Sequence, residues 1–327
     1  MTIVLYMLLA AAGLVLSFWL LVKGADFFVD GCVSIARLLR VPDLIIGLTI
    51  VAMGTSAPEA AVSISSAVND PTNAGITVGN IFGSNILNIL IILSISAVIV
   101  PITVDKSLLK KDFPLLIVSA VIMPVLFWIF DMQATRWAGL IIIAIFIFYM
   151  IWTIRDALAS RKLNKQTEQP EELSEKPMRP LRSILYAVGG LAVVIGGGQL
   201  AVYCAKYIAQ GIGISDSLIG LTIVALGTSL PELITSVVAA RKGNSDLALG
   251  NVVGSNLFNV LMILGLSMVI APFPVTMDSM VDGFVVLGAS VVCYISAAGK
   301  KIGRAWGIVY LLLYAVYLTY IIWRDLA

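Results

Sequence analysis

One segment of thirteen residues occurs twice in this chain: Gly47 to Glu59 reads GLTIVAMGTSAPE and Gly220 to Glu232 reads GLTIVALGTSLPE, identical at eleven positions. A second pair follows the first, GNIFGSNILN from Gly79 to Asn88 and GNVVGSNLFN from Gly250 to Asn259, identical at six of ten positions. Each copy sets a glutamate inside a long apolar run. A duplicated unit whose matched residues are carboxylates, amides and hydroxyls within membrane-length segments points to one cation site built from both halves.

Composition identifies the solvent. Hydrophobic residues make up 60% of the 327 positions, charged residues only 12%, and the mean hydropathy is +1.02. That is more apolar surface than a soluble domain can bury, so the chain reads as a polytopic membrane protein. The first apolar run carries no small-residue cleavage site and reads as a retained helix. Cys32, Cys204 and Cys293 lie in apolar stretches at unrelated spacings and suggest neither a disulfide framework nor a metal cluster. The chain has no histidine, which excludes zinc-protease helices, Ser-His hydrolase chemistry and histidine proton relays.

Apolar runs predict spans at about 3–38, 42–67, 73–99, 113–130 and 136–154, and again at about 182–210, 214–240, 246–270, 280–298 and 304–323. The first is long and interrupted by Lys23, Asp26 and Asp30, as expected of an oblique helix. Residues 155–182 form the one substantial polar linker, with three prolines and four of the six glutamates, expected to be a flexible surface connection. If that linker is cytoplasmic, seventeen of the twenty-one Lys and Arg residues fall on its side of the membrane. The positive-inside rule then favours ten helices with both termini outside the cell membrane. Five is odd, so the second half (183–327, motif 220–259) enters the membrane in the opposite sense from the first (1–154, motif 47–88). The expected fold is all-α: two inverted five-helix repeats with a broken-helix ion site at the midplane.

The chemistry concentrates in the repeated motifs. Outside the linker the only glutamates are Glu59 and Glu232. A carboxylate at membrane depth costs about 2.5–3.5 kcal/mol even on a translocon scale, and neither motif holds a Lys or Arg to pair with it. A cation from solution is the simplest partner. Pro58 and Pro231 lack an amide hydrogen, which frees the carbonyls of Gly54 and Gly227 four residues earlier. Thr55 and Glu59, Thr228 and Glu232, Ser84 and Asn88, and Ser255 and Asn259 are each four apart and are expected to share helical faces. The result is an all-oxygen cage suited to Ca²⁺ or Na⁺, with no soft ligand. Such hydroxyls and amides also serve as helix-to-helix hydrogen bonds, and Gly79, Gly83, Gly250 and Gly254 as close-packing positions. Buried carboxylates make poor glue. Asp26 and Asp30 suggest structural or entrance roles, and Trp152, Trp306 and Trp323 interface anchors.

The paired GTSxPE and GNxxGSNxxN segments resemble the two alpha repeats of the cation/calcium antiporter superfamily, and specifically prokaryotic sodium/calcium exchangers. The resemblance covers both repeats and the ten-helix plan. It implies that Glu59 and Glu232 coordinate Ca²⁺ and compete for Na⁺. It further implies that carbonyls and hydroxyls of Thr55, Ser56, Thr228 and Ser229, with the carbonyls of Ala52 and Ala225, complete the calcium and flanking sodium sites. Ser84, Asn88, Ser255 and Asn259 match the remaining ligand positions, and the first and sixth helices correspond to a sliding element. Some members carry aspartate where this chain has Asn259, so here the formal site charge is −2 and the stoichiometry stays open. The protein is expected to be an antiporter and not an enzyme, with no cofactor, its Ca²⁺ and Na⁺ bound as substrates.

In the expected mechanism Ca²⁺ and Na⁺ exclude one another, and only a loaded, neutralised site passes the hydrophobic barrier. Protons are a third competitor, because a protonated pair no longer repels itself. The alternatives are an H⁺/Ca²⁺ antiporter of the same fold, whose motif usually places glutamate in a GNxxE context with nearby histidines, and a passive cation channel. An intramembrane hydrolase is the weakest alternative: Ser56 and Ser229 lie near glutamates, but the chain has no histidine base and no paired catalytic aspartate motif.

Overall fold

The computed structural model describes residues 2–69, 75–166, 177–211 and 225–326, and is built almost wholly of helices. In chain order these are α1 (Thr2–Leu39), α2 (Asp43–Thr55), α3 (Ala57–Asn69), α4 (Thr77–Ile99), α5 (Leu108–Ile129) and α6 (Arg136–Gln166). After the linker come α7 (Pro180–Gly211), α8 (Ala225–Thr228), α9 (Leu230–Arg241), α10 (Ser245–Ile270), α11 (Met277–Ala298) and α12 (Arg304–Leu326). Among the described residues eight helices are long and apolar enough to cross a membrane; α2 and α3, bent by 48° across Ser56, make a ninth if taken as one span. The span expected at 214–240 is described only from residue 225; Gly220 to Val224 of the second motif lie outside the described residues.

α1 holds 38 residues and α7 holds 32. At 1.5 Å per residue these are roughly 57 and 48 Å long, well beyond the ~30 Å hydrocarbon core. The two pack on each other along most of their length, backbone against backbone. A Cβ on Gly31 would run into the backbone of Ala187, and one on Gly190 into the backbone of Phe28. Small residues are what permit such contact in a lipid setting, where dispersion replaces the hydrophobic effect as the attraction. The pair's apolar cluster reaches the remaining helices mainly through Ile46 and Val51 of α2, Val238 to Ala240 of α9, and Leu247 and Ala248 of α10.

The larger cluster is formed by α4, α5, α6, α10, α11 and α12. At its centre are α4 and α10, whose most apolar stretches are 78% and 72% buried against 22% and 33% in α1 and α7, so these two helices are surrounded by protein where the long pair faces lipid. Both change to π geometry at the motif asparagines, over Asn88–Ile92 and Phe258–Leu264. Such widened turns recur at functional sites.

Two antiparallel strand pairs tie the halves together. β1 (Ile102–Thr103) pairs with β4 (Lys301–Ile302), and β2 (Gln133–Ala134) with β3 (Phe273–Pro274). Their inward residues Ile102, Ile302, Ala134 and Phe273 are fully buried. Asp26 and Asp30 of α1 find a partner that the sequence pattern did not suggest: Lys242, just past α9, lies 3.3 Å from Asp26 and 2.8 Å from Asp30. α6 also differs from expectation, running as helix to Gln166 into the polar linker. Its ALASRKLNKQ tail is rich in Ala, Leu, Lys and Arg, which favour helix whether or not lipid surrounds them.

Candidate functional site

The site begins with two interrupted helices. Ser56 leaves helical geometry at φ −80°, ψ 8°, and Ser229 does the same at φ −89°, ψ 2°. Each is followed two residues later by a proline that cannot supply the next helical amide. Restarting there places Glu59 in the first turn of α3 and Glu232 in the first turn of α9, where the helix dipole favours negative charge.

The two halves then exchange partners. Ser56 Oγ donates to Glu232 Oε1 at 2.9 Å, and Ser229 Oγ donates to Glu59 Oε1 at 3.1 Å. Both glutamates are only 1% exposed, and no Lys or Arg pairs with either among the described residues. Their second oxygens, Glu59 Oε2 and Glu232 Oε2, are buried with no hydrogen-bond partner, and so are Asn88 Oδ1 and Asn259 Oδ1. An unpartnered buried carboxylate oxygen is among the most costly groups a fold can hold. Four such oxygens, two from each half, are of the hard donor type that Ca²⁺ and Na⁺ favour.

The other expected residues gather around this set. Thr55 Oγ1 lies 3.1 Å from Val51 O and 3.2 Å from Asn251 Oδ1, so its one proton can go to either. Here the structure corrects a sequence expectation: the break at Ser56 separates Thr55 from Glu59, so they do not share a helical face. Thr55 sits beside Glu232 and Thr228 beside Glu59, each across the halves. Ser84 Oγ lies 3.4 Å from Ser229 Oγ, and Ser255 Oγ donates to Ala52 O at 3.4 Å. Ala52 O also accepts the Ser56 amide at 3.1 Å. Ala225 opens α8, on the approach to the second break.

Several participants escaped the sequence reading. Asn80 Nδ2 donates to Glu59 O at 3.3 Å and Ser63 Oγ at 2.9 Å, while Asn251 Nδ2 donates to Glu232 O at 3.4 Å and Ser236 Oγ at 2.9 Å. Asn85 and Asn256 bridge α4 and α10. The signal was available: all six occupy matched positions of the two copies, Ser63 and Ser236 each four residues after the glutamate.

With this geometry in hand, comparison with known proteins is informative. The family model described as sodium/calcium exchanger protein matches residues 9–155 and 182–323. The chain belongs to that family. Within it, the sodium/calcium exchanger MaX1 of Methanosarcina acetivorans is 32% identical over 343 aligned positions, covering 94% of this chain and 96% of its own length. The inner membrane protein YrbG of Escherichia coli K12 is 35% identical over 269 positions, 81% of each chain. A solved structure of the sodium-calcium exchanger NCX_Mj, soaked without Na⁺ and Ca²⁺, superposes with a TM-score of 0.82 at 33% identity, over 96% of this chain and 99% of that one. The protein is a membrane transporter, not an enzyme, and family and fold together support cation/Ca²⁺ antiport.

The exchanger's long helix α7 leans on both helix breaks. Leu191 covers Gly54, Val202 covers Gly227, and Gly198 faces the ring of Pro231. A Cβ at 227 would overlap Val202 and push α7 away, whereas at 54 it would meet only the flexible end of Leu191. Between α7 and the breaks lies a cavity of about 410 Å³, bounded by Pro58, Val62, Thr228 and Pro231 on one wall and by Gln199, Tyr203 and Lys206 on the other.

Proposed function

We propose that this chain exchanges Na⁺ for Ca²⁺ across the cell membrane by alternating access, the two ions competing for Glu59 and Glu232. The observation that carries the reading is the set of four buried, unpartnered oxygens contributed equally by the two halves. Ca²⁺ bridging both carboxylates and several Na⁺ sharing them are mutually exclusive loads. Thr55, Ser56, Ser84, Ala52 and their counterparts Thr228, Ser229, Ser255 and Ala225 complete the coordination, and Asn88 and Asn259 supply neutral oxygens. Either load offsets the charge of the pair, and the empty −2 site stays fixed because moving it past apolar side chains is too costly.

Ten crossings in two inverted repeats fit the strand pairs. The ten spans expected from the sequence put six between β1 and β4 and four between β2 and β3, the even numbers that strands paired on one side of a membrane call for. On this reading each half crosses five times and the second is inverted. With the linker cytoplasmic, both termini lie outside, the α7 cavity opens outward, and the Lys242 ion pairs close the inner side. α1 and α7 are the sliding element, gliding over the glycines at 54 and 227.

The coupling ion is tested by radioactive calcium uptake into sodium-loaded proteoliposomes diluted into sodium-free buffer, with proton and potassium gradients clamped. Uptake is expected only with an outward sodium gradient. Uptake that follows a proton gradient would assign H⁺ as the coupling ion, and flux indifferent to internal sodium would assign a passive channel.

A further inference from the structure

Carboxylates present oxygen to a cation whichever way they turn. An asparagine amide does not: rotated by half a turn, it replaces an acceptor oxygen with a donor NH₂ of almost the same size and points a positive dipole end at the ion. Asn88 and Asn259 therefore serve as ligands only if the fold fixes which end faces the site.

A second asparagine pair makes that choice. Asn88 Nδ2 donates to Asn256 Oδ1 at 3.2 Å, and Asn259 Nδ2 donates to Asn85 Oδ1 at 3.2 Å. Both amide nitrogens are thus turned away, and both Oδ1 atoms are left buried without a partner. The flipped amide would oppose two acceptor oxygens at buried positions with no proton between them, a repulsive contact instead of a bond. Each bond joins α4 to α10, so the ligand of one half is oriented by the other. The two arms are not equal. Asn85 is itself fixed, because its Nδ2 donates to Asn256 O at 3.2 Å, whereas Asn256 Nδ2 has no partner.

We infer that Asn85 and Asn256 are positioning residues for cation binding, each turning the amide oxygen of the opposite half's ligand toward the ion. This rests on the reading of Asn88 and Asn259 as ligands given above.

A double-mutant cycle on the full chain tests it, read as equilibrium binding of radioactive calcium and as KM against maximal rate in proteoliposomes. Asn256→Leu removes the acceptor at similar volume and is expected to weaken Ca²⁺ affinity about tenfold, KM rising with it and maximal rate changing less. Asn88→Asp carries oxygen at both ends, so orientation no longer matters. In that background Asn256→Leu is expected to change affinity by less than about threefold. The pair Asn85→Leu and Asn259→Asp repeats the cycle on the other arm. If the leucine variants do not yield monodisperse protein, Asn256→Ala and Asn85→Ala enter the same cycles. Equal losses in both backgrounds would mean that these asparagines only hold α4 to α10, and would overturn the inference. A wild-type chain that neither binds nor exchanges Ca²⁺ would overturn the proposed function itself.

Discussion

The helices around the proposed cation site and the α1–α7 pair are both apolar on their outer surfaces, yet they are held by different forces. Around the site, polar groups from opposite halves interlock: serine hydroxyls on carboxylates, asparagines on backbone carbonyls and on each other. Shifting one half against the other there would break several buried hydrogen bonds at once, and each unmade one costs about 1–3 kcal/mol. Along α1 and α7 the contacts are mainly glycine against backbone and aliphatic against aliphatic, with one buried serine pair, Ser34 and Ser183 at 2.8 Å, and partly exposed ion pairs to Lys242 as a tie to the body. Smooth apolar contacts shift with little loss. The contrast teaches where motion is cheap: under the proposed function, ion coordination falls to the interlocked region and movement to the smooth one.

Substitutions break this contrast in a graded way. The largest effect is expected from Glu59→Gln or Glu232→Gln, which remove half the site's charge. Ca²⁺ binding and exchange should both fall by about two orders of magnitude or more, measured as calcium binding and as sodium-driven uptake. Full activity in either variant would sink the assignment. Next come Gly31→Leu and Gly190→Leu, which force the pair apart. Uptake is expected to fall about tenfold while equilibrium Ca²⁺ binding stays within about threefold of wild type, because overpacking costs ~1–3 kcal/mol in the pair and not at the site. Loss of binding and flux together would erase the distinction between the two regions. Ser56→Ala and Ser229→Ala each remove one hydroxyl from the opposite carboxylate, and an apparent KM for Ca²⁺ shifted by about three- to tenfold is expected from uptake kinetics. Lys242→Gln should matter least: a partly exposed pair is worth at most about 1 kcal/mol, so uptake should change less than about fivefold, with the difference fading at high salt.

Much of the fold was legible in the sequence because a membrane demands long apolar runs, and α1, α4, α7 and α12 sit close to the spans those runs predict. The helix breaks were legible through Pro58 and Pro231. The crossing of partners was not. Helical spacing assigns Thr55 to Glu59, and only the turn at Ser56 sends it toward the other half. Asn85 and Asn256 were passed over because the three asparagines within each copy of the second motif look alike in sequence, and which of them would be ligands depends on the register of α4 against α10. Strands of two residues leave no periodicity to read, and the attraction of Lys242 for Asp26 and Asp30 spans more than two hundred positions.

The central claim is that Ca²⁺ and Na⁺ occupy one site in turn. Its most direct test is equilibrium binding of radioactive calcium to the purified full chain as NaCl replaces choline chloride at constant ionic strength. The account predicts that bound calcium falls to zero, more steeply than a single competing Na⁺ would produce. Calcium that stays bound at saturating sodium would contradict it.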